Sequence, residues 1–379
     1  MNGNMFMINY WFTIIPFLLL TALSCSEDED RKEASLPQQT VLVYMAADNN
    51  LYRNAQTDIE EILKSQVPQD NHLLIYLDVP EWYDDACAQL FEVKRGNLAP
   101  VKQYGRQNSA SGEVLQSVIN DATTMFPAHK YGLVLWSHGT NWLPENAYDD
   151  LKKDQLRSFG KDENREMNII ELSESIPVKF EYIIFDACLM GGIEVFYQLR
   201  NKANTIIASP TEILVAGFPY DKIVPFLFYP NLDYIQIAQE YMDYYKNKAG
   251  NLQSASITVV NTGQLEPLAE ILRTILNENN IITPNKTFVQ KYETREQVIF
   301  YDLEDYLSQA IESQESTTAL KQKISKTVIY HDFTPYFLET LAIERSCGIS
   351  VYVSPSTDND LDEHYKQLDW YKHSGLLCQ

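Results

Sequence analysis

The chain has 379 residues, 45% of them hydrophobic, and a formal net charge of −22 at pH 7. That is apolar material for one large domain or two. The acidic balance would repel nucleic-acid phosphate, which excludes a nucleic-acid partner and suits a soluble surface or cationic substrates.

The first element is an apolar run, YWFTIIPFLLLTALSC, of signal-peptide length, with Ser24 before Cys25 and a charged stretch, SEDEDRKE, after it. Beyond it, 40–46 (TVLVYMA) reads as a β-rich strand, and Ile59, Ile62 and Leu63 fall on one face of a helix. Residues 72–79 (HLLIYLDV) read as a second strand and EVKRGNLAPVKQY as a hairpin. Val114, Leu115, Val118, Ile119 and Ala122 space a helix over 112–125, followed by a strand at 132–136. MNIIELSESI is helical, 182–185 a strand, 192–200 a helix and 205–208 another strand. Further on, ASITVVNTG reads as a strand, 265–276 as a helix, 279–297 as polar, VIFYDLEDYL as a strand running into a helix, and CGISVYVSPS as a strand stopped by proline. Nearly all-apolar strands alternating with helices imply an α/β fold, its mostly parallel sheet covered on both faces.

In such a sheet, functional residues collect at the carboxyl ends of the strands. His138 and Cys188 each lie just past the end of a strong strand, 50 residues apart. Taken singly, Cys188 reads as a buried thiol and His138 as a strand-end histidine. Together they read as a nucleophile and its base, because a thiol attacks only as thiolate and a neighbouring imidazole or helix N-terminus favours that form. Gly191 and Gly192 allow a tight turn or close approach to a ligand, and the N–H groups of Gly139 and Cys188 are candidates for an oxyanion hole. The five cysteines (Cys25, Cys87, Cys188, Cys347, Cys378) show no CxxC pair and no zinc spacing. Asp302, Glu304 and Asp305 in DLED read as an acidic helix start rather than a metal site. No metal or cofactor is expected; calcium dependence stays open, with no EF-hand loop visible.

FPAHKYGLVLWSHGTNW followed by YIIFDACLMGGIEVFYQLR resembles the clostripain family of cysteine peptidases (family C11). TVLVYMAADNNL, VIFYDLEDYL and GISVYVSPS…YKQLDWY extend the resemblance over nearly all of the chain after the apolar run. The resemblance implies a caspase-like α/β/α sandwich with a C-terminal extension and a Cys–His dyad carried by Cys188 and His138. It implies polypeptide substrates and an S1 pocket for a basic side chain, lined by Asp186, to which Glu212 would add a second acid. The family's acidic, glycine-rich loop is replaced here over 209–220 by SPTEILVAGFPY, which keeps Gly217, Phe218 and Tyr220 but is apolar in the middle. Arg/Lys cleavage is therefore the expectation, with another preference left open. Relatives are activated by cutting themselves between the dyad residues, where Lys152, Lys153 and Arg157 are the matching candidates in a charged, exposed stretch.

The N-terminus resembles a bacterial lipoprotein signal with lipidation at Cys25, and the acidic run after it resembles the surface-export tag of Bacteroidetes lipoproteins. The expected product is an exported, outer-membrane, cell-surface monomer held to the membrane by lipid. The expected division is a signal segment 1–24, an acidic tether 25–39, a catalytic domain 40–275 and a C-terminal subdomain 276–379 packed on the core. Two alternatives stand beside the peptidase: a non-catalytic surface-binding lipoprotein on the same fold, and a transpeptidase of the same clan.

Overall fold

A computed structural model of the chain describes residues 36–80, 87–144, 159–162, 165–295, 297–355 and 359–379. The expectations for 1–35, including Cys25, and for Lys152, Lys153 and Arg157 lie outside the described residues. Residues 36–379 make up one unit. It opens with β1 (Gln39–Met45), crosses through α1 (Tyr52–Lys64) to β2 (Asn71–Leu77), and adds the hairpin β3 (Ala88–Lys94) and β4 (Asn97–Gly105). Helix α2 (Gly112–Met125) returns the chain to β5 (Lys130–Trp136) on the other flank of β1. A ribbon of β6 (Phe159–Asp162) and β7 (Arg165–Met167) leads through α3 (Ile169–Ser175) to β8 (Phe180–Asp186), and α4 (Ile193–Gln198) leads to β9 (Ala203–Ala208). Helices α5 (Tyr220–Ile223) and α6 (Tyr234–Lys246) precede β10 (Ser256–Asn261) and α7 (Leu265–Glu278). The remainder runs β11 (Phe300–Asp302), α8 (Leu303–Ala310), α9 (Gln314–Thr327), β12 (Val328–Phe333), β13 (Tyr336–Phe337), β14 (Leu341–Ala342), β15 (Ser350–Tyr352), α10 (Asn359–Tyr365) and α11 (Asp369–Ser374).

Nine strands form the central sheet in the order β12-β10-β9-β8-β5-β1-β2-β3-β4. The five from β9 to β2 are parallel, and antiparallel strands flank them on both sides. The reason lies in the strand sequences. In β1, Leu42 and Tyr44 face one core, with α2, α4 and α7, while Val41, Val43 and Met45 face the other, with α1 and α6. A strand apolar on both faces is stable only when layers cover both, which a right-handed βαβ crossover supplies. The hairpin follows from its turn: Arg95 at φ 52° and Gly96 at φ 72° make the two-residue left-handed connection that matches strand twist. Strand order reverses between β1 and β5, so the crevice above their carboxyl ends is the topological switch point.

Candidate active site

Strands β5 and β8 are parallel neighbours, and their register sets Trp136 opposite Asp186. His138 and Cys188 therefore each lie two residues past a matched pair, on the same rim. The Ser137 N–H donates to Asp186 O at 3.3 Å and continues the pairing past the strand ends. The two stretches come together at Gly139, where an added Cβ would sit 2.6 Å from the Cys188 carbonyl oxygen and 2.9 Å from Ala187 Cβ. Only a residue without a side chain lets the two stretches touch backbone to backbone.

The histidine is bonded to Asn50, in the loop between β1 and α1. His138 Nε2 and Asn50 Oδ1 are 2.8 Å apart, and because that oxygen only accepts, Nε2 carries the hydrogen. In the neutral ring this leaves the lone pair, and hence the basic site, on Nδ1. The His138 carbonyl accepts from Gly160 N–H at 3.1 Å, so β6 holds the backbone from the far side. That hydrogen-bond pattern flanks the Gly139–Phe159 bridge rather than using the Gly139 N–H. Asn50 was not singled out in the sequence, although it lies inside the quoted DNNL stretch.

The cysteine turn is strained. Leu189 is buried with φ at 63°, and Asn141, three residues after His138, has φ at 68°. Left-handed backbone at a non-glycine residue costs on the order of 1 kcal/mol, and such positions cluster at functional sites. The glycines behave otherwise than expected: a Cβ on Gly191 would lie 2.4 Å from Pro210 N, and one on Gly192 would lie 2.3 Å from Asn141 Nδ2. Their space is filled by protein, and the left-handed turn falls on Leu189 instead. Gly192, at φ −86°, caps the start of α4 as anticipated.

Cys188 is half-buried, and its sulfur is clasped by one residue. Ile213 N–H donates to Sγ at 3.3 Å, and the thiol donates back to Ile213 O at 3.5 Å. The bonds Leu189 N–H to Thr211 O (2.9 Å) and Gly191 N–H to Ser209 O (2.8 Å) fasten the same loop to the cysteine turn. Burial pushes the thiol up to about 12; the Ile213 N–H pulls it down, Glu212 and Asp186 raise it further, and Arg295 opposes them. Burial thus disfavours the thiolate in this arrangement. Arg295 comes from the polar stretch that composition left unassigned. Its guanidinium lies 3.7 Å from Glu212 and 3.7 Å from Glu293, so Glu212 is engaged with the C-terminal segment.

Asp186 is 4% exposed. Its Oδ2 accepts from Phe218 N–H at 3.2 Å and from the Tyr220 hydroxyl at 3.0 Å. Behind it, Asp58 on α1 accepts from Trp136 Nε1 at 2.7 Å. Burial raises both carboxyls above the usual carboxylate range, and the charge of Asp186 lifts Asp58 well above it. Asp302 caps α8, accepting from Asp305 N–H at 2.8 Å, Tyr292 OH at 2.7 Å and Cys347 N–H at 2.7 Å. That is the acidic helix start read from the sequence. Cys87, Cys347 and Cys378 are free and buried. No group of three or more His, Cys, Asp or Glu side chains suited to a metal ion occurs among the described residues.

A thiol and an imidazole at neighbouring carboxyl ends of a mostly parallel sheet, layered by helices on both faces, define a caspase-like α/β protein. The chain belongs to the clostripain family, peptidase family C11, whose sequence profile matches residues 43–375. It is 32% identical to an inactive zymogen C11 protease from Parabacteroides distasonis, covering 91% of this chain and 99% of that one with a TM-score of 0.77. It is 28% identical, over 89% of its length and 98% of the other's, to a secreted C11 cysteine protease from Bacteroides thetaiotaomicron solved with an irreversible peptide inhibitor, TM-score 0.77. Clostripain of Hathewaya histolytica is 26% identical over 216 residues, a stretch that spans 48% of this chain and 41% of clostripain.

Proposed function

We propose that the chain is a cysteine endopeptidase in which Cys188 is the nucleophile and His138 the base. His138 Nδ1 takes the thiol proton, and the thiolate attacks the scissile carbonyl carbon. The resulting oxyanion is stabilised by the N–H groups of Gly139 and Cys188. The imidazolium then protonates the leaving amine, giving the acyl-enzyme; His138 next deprotonates a water that releases the acid and restores the thiol. The observation that carries this reading is the approach of Gly139 to the Cys188 carbonyl, which brings the two reactive stretches to one rim.

Asp186 serves as the acid of a P1 pocket for lysine or arginine. The relative solved with a peptide inhibitor supports a polypeptide substrate. The clasp of Cys188 by Ile213, with its neutral thiol, supports reading this conformation as a form that precedes activation. Activation follows self-cleavage at Lys152, Lys153 or Arg157, and the product is an exported lipoprotein anchored through Cys25. A fluorogenic peptide library with either lysine or arginine at P1, run on the chain and on Cys188→Ala, tests the chemistry. Turnover lost in the variant is the expected result; equal turnover in both refutes it. Gel analysis of the same two proteins tests self-cleavage, which should fragment only the wild type. Metabolic labelling with a fatty-acid analogue tests the anchor and should fail on Cys25→Ala.

A further inference from the structure

Tyr241 lies on helix α6, in the same core cluster as Phe218 and Tyr220. The residue is 0% exposed, and its ring packs against Phe218 at 4.5 Å and Tyr245 at 4.9 Å between centroids. Those neighbours belong to the wall around Asp186: Phe218 N–H donates to its carboxylate, and Tyr245 OH donates to Gly217 O at 2.8 Å. The Tyr241 hydroxyl itself finds no hydrogen-bond partner among the described residues. Buried hydroxyls are rarely left so, because the lost hydration costs about 1–3 kcal/mol. What surrounds this one says what it awaits. Phe218 and Tyr245 tie its ring to the 217–218 segment that holds Asp186, the acid two residues before Cys188.

A substrate side chain attached at the carbonyl that Cys188 attacks, and reaching for Asp186, meets this hydroxyl. The reading rests on the proposed peptidase activity and goes further in naming the side chain. Both hydrogen bonds to Asp186 end on Oδ2, and Oδ1 accepts none among the described residues. A guanidinium fork is best served by two carboxylate oxygens at once, whereas an ammonium takes single acceptors from several directions. One carboxylate oxygen and one phenolic oxygen suit the ammonium. We infer that the Tyr241 hydroxyl lines the inner end of the P1 pocket and, with Oδ1 of Asp186, selects lysine over arginine.

The test is Tyr241→Phe in the full chain, assayed on two fluorogenic peptides that differ only in lysine or arginine at P1. Wild type should favour lysine. The variant should lose about 10- to 100-fold in kcat/KM on the lysine peptide, as expected for a hydrogen bond to a charged group, and no more than about threefold on arginine. Its thermal midpoint should hold or rise, since an unpaired buried hydroxyl is removed. A wild-type preference for arginine overturns the inference, as does a variant that loses both substrates equally or neither. A wild type that cleaves neither peptide, and whose Cys188 is not labelled by a peptidyl acyloxymethyl ketone, overturns the peptidase reading itself. Labelling at Cys188 together with an unchanged lysine-to-arginine ratio overturns the inference alone.

Discussion

Gly139→Ala perturbs the contact on which the site depends while adding a single methyl group. The new Cβ would lie 2.6 Å from Cys188 O, 2.9 Å from Ala187 Cβ and 3.1 Å from Met190 Cγ. The methionine can swing away, but the other two atoms are fixed to the β8 turn. An ordinary carbon–oxygen contact is about 3.3 Å, so the two backbones must separate by roughly 0.7 Å. Overpacking of this kind costs about 1–3 kcal/mol, which a 344-residue unit with both sheet faces covered survives. A misplacement of about 1 Å between reacting groups costs on the order of 10²-fold in rate. The variant is therefore expected to fold, with a modestly lowered midpoint in urea, and to lose about 10- to 100-fold in kcat with a smaller change in KM. Activity within about twofold of wild type would refute the reasoning, since it would mean that the reactive groups do not depend on this approach.

Asn50→Ala removes the acceptor that sets the His138 tautomer and should lower kcat about 10-fold or more with KM nearly unchanged; Asn50→Asp, which keeps an acceptor, should recover part of the loss in steady-state assays. Alkylation of Cys188 by iodoacetamide should be slow near neutral pH and still be rising above about pH 9, because burial keeps the thiol protonated; a plateau near pH 7 would contradict the clasped geometry. Glu194, buried with Oε1 bonded to Tyr352 N–H and Oε2 without a partner among the described residues, has its carboxyl pushed up to about 8 by burial. The native state keeps this proton where the unfolded chain has lost it, so stability falls as pH rises from about 4.5 to 8, by about 3 kcal/mol between about pH 5 and about pH 7.5. Glu194→Gln should flatten that slope in urea titrations at the two pH values, and an unchanged slope would rule the group out as its source.

The parts of this fold legible in the sequence are those where local pattern and tertiary fate agree. Strands β1, β2, β5, β8 and β9 read as apolar runs because both faces are covered, and the β3–β4 turn announces itself through Arg95-Gly96. The placement of His138 and Cys188 at a common rim followed from strand ends alone, since parallel neighbours bring their carboxyl ends together whatever lies between. What stayed hidden depends on contacts between distant segments. Helix α6 buries a face with Tyr241 and Tyr245 among its residues, and tyrosines do not mark an apolar stripe as leucines do. The sheet edge β12 is defined by its pairing with β10, more than 60 residues earlier, and nothing local in VIYHDF specifies that partner.

The same distinction separates the chemistry of the site from its control. The proposed nucleophile and base sit just past strand ends, where the sequence already marked them. The control lies in residues delivered from elsewhere: Asn50 from the β1 loop, Ile213 from the loop after β9, Tyr241 from α6 and Arg295 from the C-terminal segment. Asn50 and Ile213 contact His138 and Cys188 directly, while Tyr241 packs on Phe218 and Arg295 pairs with Glu212, all through contacts that no spacing rule anticipates. The apolar middle of the loop at 209–220 makes the point physically. In the sequence it reads as a departure from an acidic pattern that leaves another preference open. In the structure its backbone grips Sγ, while Leu214 packs against both the α6-side core and the cluster of Phe337, Leu341 and Ile343. An apolar loop can seat itself in that way and hold the thiol neutral, where an acidic loop would have to bury charge beside a sulfur already opposed by Glu212 and Asp186. An apolar loop at this position thus suits the Ile213 clasp on Cys188.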